Sequence, residues 1–163
     1  RLARVASTPL LLVQGQATML RRILLVLRGH APDERTLDWI IPLAQAAQAA
    51  VTLLALAPDP LPFPTRESRM FQGLALLLFP DSDLGEHVFA CARRLNEAGI
   101  RGYLKLRQGH PERQIADEAA EGDYDLVAIA AEAHGDFVGQ VLSEIEGRAP
   151  HSRPVLVVKP TIP

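Results

Sequence analysis

Several things that would announce a function are scarce in this sequence. There is one cysteine, Cys91, so no disulfide can form within the chain and cross-links are excluded as a source of stability. Aromatic residues make up 5% of the 163 residues; Ala, Leu and Val carry the apolar content instead. The formal net charge is −2, which gives no basic footprint for nucleic acid or anionic lipid. Neither a nucleic-acid partner nor a membrane partner is therefore expected. No apolar run approaches the roughly 20 residues of a membrane helix, and no signal peptide is visible. There is no G-x-S-x-G, no Walker phosphate loop and no G-x-G-x-x-G. Cys91 reads as a small buried apolar residue, and a lone thiol without disulfides fits a reducing, cytoplasmic setting.

What is present is an alternation of buried strands and amphipathic helices, of a length that suits one domain. "ILLVL" (23–27) is a continuous apolar run, the pattern of a strand covered on both faces. Pro32, Asp33 and Glu34 suit a helix start, and Leu37, Ile40, Ile41, Ala44 and Ala47 continue at helical spacing. Pro42 interrupts that helix and costs it a kink or a hydrogen bond. "VTLLALA" (51–57) completes a βαβ unit. A proline-rich insert at about 58–82 follows, either a packing surface or a flap. Ser82 is the expected cap of the next helix, whose buried stripe is Leu84, Val88, Cys91, Ala92 and Leu95 and whose stop is Gly99. "RGYLKLRQ" alternates like a half-exposed strand near an edge. A helix from Pro111 to Gly122, a strand "DLVAIAA", a helix from Gly139 to about Arg148 and a strand "RPVLVV" complete the order. The pattern predicts an α/β fold: a doubly wound, mostly parallel five-stranded sheet flanked by helices, with an extra N-terminal strand. In such sheets ligands bind beyond the strands' carboxyl ends where the order reverses, here the loops after Leu27 and Ala130.

The stretch "RQGHPERQIADEAAEGDYDLVAIAA" resembles the second half of the universal stress protein family. Gly109, Pro111, Ile115, Ala116, Ala119, Asp125, Leu126 and Val127 fall on that family's usual phrase. "RRILLVLRG" looks like its first strand and "RPVLVVK" like its closing one. The resemblance covers about residues 20–160 and implies a Rossmann-like fold of the adenine-nucleotide α-hydrolase type. It also makes sense of a second phrase. Laid on "SRPVLVVK", the early stretch "STPLLLVQ" matches at Ser7, Pro9, Leu11 and Val13 against Ser152, Pro154, Leu156 and Val158. Residues 1–17 then look like the tail of an upstream repeat, its last helix end and last strand. Family members dimerise through antiparallel last strands, so the resemblance implies pairing of Leu10 and Leu12 with Val155 and Val157, in this chain or in a second copy. The expected partner is accordingly a homodimer mate or a tandem domain. A partner strand would also cover an apolar sheet edge that invites aggregation.

Many family members bind ATP, and the resemblance places their site at an Asp ending the first strand and at a Gly-x-x-Gly…Gly-Ser pattern after the fourth. Glycines there let backbone N–H groups approach phosphate. This sequence departs from the pattern. Arg28, followed by Gly29, stands where the Asp is expected; Ala131 and His134 take the places of the first two glycines; Gly135 and Gly139 lie nearby at the wrong spacing; and Ser143 keeps only the hydroxyl. Glu132 and Asp136 would face a triphosphate with the wrong sign. These residues are the candidate cleft rim. The leading expectation is a regulatory or binding module of the stress response, non-catalytic, with a degenerate nucleotide cleft, acting through dimerisation or partner binding. No cofactor is assigned, and ATP or another nucleotide stays open. The alternatives are an ATP-binding, slowly hydrolysing member with a rebuilt phosphate loop, and a sensory domain of a transporter or kinase. His30, His87, His110, His134 and His151 show no metal-ligand spacing and read as surface or loop residues. Cys91 is expected far from the cleft rim, and "DEAAEGDYD" is expected to be a solvated helix face.

Overall fold

The chain is described by a computed structural model at residues 9–13, 19–29, 32–57, 83–131, 136–148 and 154–158. Along these, the order is β1 (Leu10–Leu12), β2 (Arg22–Leu27), α1 (Pro32–Ala47), β3 (Ala50–Ala57), α2 (Asp83–Glu97), β4 (Gly102–Gln108), α3 (Pro111–Glu121), β5 (Leu126–Ala130), α4 (Phe137–Arg148) and β6 (Val155–Val158). The six strands form one sheet in the order β1-β6-β5-β2-β3-β4. From β2 to β6 all neighbours are parallel; β1 alone is antiparallel, with Leu10 opposite Val157, Leu11 opposite Leu156 and Leu12 opposite Val155. The expected fold class holds: five parallel strands and one extra N-terminal strand.

The continuous apolar runs belong to strands covered on both faces. On one face Ile23, Leu25 and Leu27 pack with Leu37, Ile40 and Ala44 of α1 and Val88, Cys91 and Leu95 of α2. On the other face Leu24 and Val26 pack with Ile115, Ala116 and Ala119 of α3 and Val141 and Ile145 of α4. Two helices per face follow from right-handed connections that run one way along the sheet from β2 to β4 and the other way from β4 to β6. At the amino ends of the strands Asp125 fixes the register of β2 beside β5. Its Oδ2 accepts the N–H groups of Arg21 at 2.8 Å and Arg22 at 2.9 Å. The family-like Asp125 is thus a structural staple at the end of the sheet remote from the cleft.

α1 runs unbroken through Pro42, which lies on the exposed side, so the missing hydrogen bond faces water. α2 ends at Gly99, whose φ of +71° closes the turn that brings Ile100 N–H onto Leu95 O at 3.0 Å. Arg94 ties α2 to α1, donating to Asp38 Oδ1 at 2.6 Å and to Glu34 O at 3.1 Å. β4 is the far edge strand, as its alternating pattern implied. α4 begins at Phe137 rather than Gly139, because Asp136 is the capping residue and its carbonyl accepts the first helical bond from Gln140 at 2.9 Å. The insert at 58–82 and Ser82 lie outside the described residues. Among the described residues no helix is long and apolar enough to cross a membrane.

Candidate functional site

The strand order reverses between β2 and β5, so the two loops leaving their carboxyl ends form the site. The first loop is Arg28-Gly29. Gly29 has φ +85°, and a Cβ there would come within 3.1 Å of Leu84 Cδ1; glycine is needed for the turn and for the approach of α2. The loop's backbone donors do not face outward. Asp33, in the first turn of α1 and 0% exposed, accepts Arg28 N–H at 2.7 Å and Gly29 N–H at 3.0 Å, both on Oδ2.

The same Oδ2 receives Nε2 of His87, on α2, at 3.0 Å, while Oδ1 is buried without a hydrogen-bond partner among the described residues. His87 has only 9% of its side chain exposed. The hydrogen bond to Asp33, aided by contact with Cys91 and opposed by burial, raises its pKa from 6.5 to about 10. The imidazole is therefore a cation at neutral pH. Cys91 Sγ lies 3.9 Å from the same Nε2, and Cys91 is fully buried. Two expectations are corrected here. His87 is not a surface or loop residue; it is an interior cation. Cys91 is not remote from the rim; it stands one contact behind the carboxylate that holds the first loop. The signal was present in the sequence. His87 lies on the helical stripe of Leu84, Val88, Cys91 and Leu95, so α2 turns it inward, and a buried imidazole calls for an acidic partner. No group of three His, Cys, Asp or Glu among the described residues is arranged to hold a metal ion.

The second loop starts at Ala131, whose N–H donates to Val158 O at 2.8 Å and so belongs to the sheet. His134 and Gly135 lie outside the described residues. Gly139 sits in the first turn of α4, where a Cβ would come within 2.6 Å of Asp136 Oδ1. Its bareness makes room for this chain's own carboxylate over the positive end of the helix. Ser143 is exposed on the second turn of α4, away from that end. Arg28 spans the two loops, its guanidinium carbon 3.8 Å from the ring centroid of Phe137, within cation–π range.

A second polar cluster overturns the reading of "DEAAEGDYD" as a solvated face. Glu118 is 1% exposed. It accepts Lys105 Nζ at 2.7 Å, Arg107 Nε at 2.8 Å and Tyr124 OH at 2.7 Å. Arg107 also pairs with Glu121. Burial pushes the Glu118 carboxyl up, but the hydrogen bonds from Lys105, Tyr124 and Arg107 together outweigh it and hold the group below its ordinary range. The cluster pins the edge strand β4 to α3 and lies away from the two switch-point loops.

Solved structures share this architecture. Universal stress protein UspA from Lactobacillus plantarum is 20% identical, with a TM-score of 0.60 over 87% of this chain and 99% of that one. A universal stress protein from Archaeoglobus fulgidus, in complex with dAMP, is 17% identical, with a TM-score of 0.60 over 87% and 100%. Another from Archaeoglobus fulgidus DSM 4304 is 13% identical, with a TM-score of 0.64; the match takes in 96% of this chain but 51% of that chain. None of the curated proteins matches the sequence. The model of the universal stress protein family matches residues 19–159, nearly the whole described sheet. With strand order, motif positions and family match in agreement, the chain belongs to the universal stress protein family.

Proposed function

We propose that this chain is a non-catalytic, cytoplasmic member of its family, a regulatory or binding module of the stress response that acts by associating with protein and not by holding a nucleotide. One observation carries the reading: the groups that would cradle a phosphate are already taken by the chain itself. Asp33 holds the N–H groups of Arg28 and Gly29, Val158 holds that of Ala131, and the Asp136 carboxylate lies over Gly139. A phosphate entering here would meet two carboxylates in place of open donors, and would have to displace Arg28 from Phe137. Association at the β6 edge is supported by the repeat of its sequence in β1. On the same ground residues 1–17 are the tail of a second stress-protein-like repeat. A relative of which this chain matches only 51% is long enough for two such units.

A second reading keeps a nucleotide. It is favoured by the relative in complex with dAMP and by Arg28 at the mouth of the cleft, a cation that an anion could draw off its ring. Calorimetry with ATP, ADP and AMP, with and without magnesium, separates the two. Absence of heat and of any thermal shift at millimolar nucleotide is the expected result. Micromolar binding would replace the first reading with the second.

A further inference from the structure

β4 closes the sheet at the end opposite β1, and its two faces differ in chemistry. Leu104 and Leu106 stand opposite Leu53 and Ala55, which belong to the core on the side of α1 and α2. Tyr103, Lys105 and Arg107 point to the other side, where Glu118 of α3 takes both cations. Arg101, one step before the strand, shares their parity and is exposed. The backbone alternates as well. Val51 N–H donates to Arg101 O at 2.9 Å. The odd-numbered residues of β4 therefore turn their N–H and C=O groups toward β3, and Gly102, Leu104 and Leu106 turn theirs outward. Among the described residues no strand pairs with that outer row.

We propose that the free edge of β4 is a docking site for an extended segment of a partner protein, one that carries acidic side chains at every second position and apolar side chains between them. The inference gives the association reading above a partner class and rests on it. Outward N–H and C=O groups at alternate residues call for an added strand. On one face of that strand, side chains beside Leu104, 43% exposed, gain by being apolar. On the other face they meet Arg101 and Lys105. Arg107 is engaged by Glu118 and Glu121. Lys105 gives Glu118 one of its three ammonium hydrogens and keeps 52% of its side chain exposed. Buried Glu118 thus anchors an ammonium group that still has donors to give, and a carboxylate arriving at the edge finds it already ordered.

The same charges argue against a second copy of the chain as the occupant. In an antiparallel pair of β4 strands centred on Leu104, Arg101 would oppose Arg107. In a pair centred on Leu106, Lys105 would oppose Arg107. Like charges directly opposite are destabilising. A row of cations on an edge blocks self-pairing and admits an acidic strand.

The test uses the full chain and two synthetic peptides of seven residues, the length of β4, one alternating Glu with Val and the other alternating Lys with Val. The readout is amide exchange by NMR. In the chain alone the amides of Gly102, Leu104 and Leu106 are expected to exchange fast. The Glu–Val peptide at millimolar concentration is expected to slow them by tenfold or more, and the Lys–Val peptide to leave them unchanged. Leu104→Pro removes an outward donor and spares the ladder to β3. Arg101→Glu/Lys105→Gln removes the charge while leaving Glu118 an amide donor. Each variant is expected to weaken peptide binding by tenfold or more, and the charge variant carries the test alone if the proline unfolds the strand. No protection by the Glu–Val peptide overturns the proposal, as does equal protection by both peptides. Amides already protected in the chain alone overturn it too: at every concentration they mark residues 58–82 as the occupant, and with rising concentration a second copy. Protection that appears at β6 in place of β4 overturns this site and leaves the association reading standing. Nucleotide calorimetry on the same samples reports on the cleft alone, so failure at β4 and failure of the cleft reading are told apart.

Discussion

Replacing His87 by Gln removes a charged hydrogen-bond partner from the fully buried carboxylate of Asp33. Asp33 would keep the N–H groups of Arg28 and Gly29 but lose its counter-ion, and an uncompensated buried charge costs about 3–5 kcal/mol. At this chain length each kcal/mol lowers Tm by roughly 2–4 °C. The pH dependence is the sharper measurement. His87 rises from 6.5 to about 10 on folding, so the stability it contributes is fully present below pH 6.5 and is lost as pH climbs through about 10. Across that window the unfolded chain has released the proton and the folded chain holds it. The slope is then about −1.4 kcal/mol per pH unit at its steepest. Urea denaturation of the parent and the variant from about pH 6 to about pH 9.5 measures the difference, which cancels titrations common to both chains. The gap should narrow steadily with rising pH. Asp33→Asn/His87→Gln should recover much of the loss, because both members of the pair are then neutral. A gap that stays constant between neutral and alkaline pH would refute the assignment of His87 as the cation under the loop, as would an imidazole that titrates near its ordinary value by NMR.

Glu118→Ala strands Arg107, Lys105 and the Tyr124 hydroxyl around an emptied site, and should cost about 3–5 kcal/mol in chemical denaturation, with amide exchange rising first in the edge strand β4. Because the Glu118 pKa is held low, its contribution is present above the ordinary carboxylate range and fades as pH falls through the folded value; the acid limb of the parent's stability curve should be steeper than that of Glu118→Gln. Asp136→Ala removes a cap and should cost about 1 kcal/mol. If that carboxylate is what keeps anions off α4, Asp136→Gly should bind inorganic phosphate weakly where the parent does not, as read by phosphorus NMR line broadening.

The sheet was legible in the sequence because its strands are covered on both faces, and continuous apolar runs such as 23–27 leave few other readings. The edge position of β4 was legible for the opposite reason: Tyr103, Lys105 and Arg107 alternate with less polar neighbours. The polar clusters were not legible, because each is assembled from elements distant in sequence. Nothing local to His87 says that Asp33 waits across the first face of the sheet, and nothing local to Glu118 says that two cations of β4 lie over it. Yet both lie on stripes whose other members are apolar, Leu84, Val88 and Cys91 for the one, Ile115 and Ala119 for the other. A charged residue at such a position is either an error of phase or half of a buried pair. A helix that keeps its stripe over three turns leaves no room for a phase error, so the buried pair follows. The same logic applies to the cleft. The missing glycines were read as missing donors, but the donors of Arg28 and Gly29 are present and engaged by Asp33, a residue that motif comparison does not weigh. On the proposed reading, what closes the site to phosphate is less the loss of a pattern than the gain of carboxylates, Asp33 and Asp136, placed to satisfy it from within.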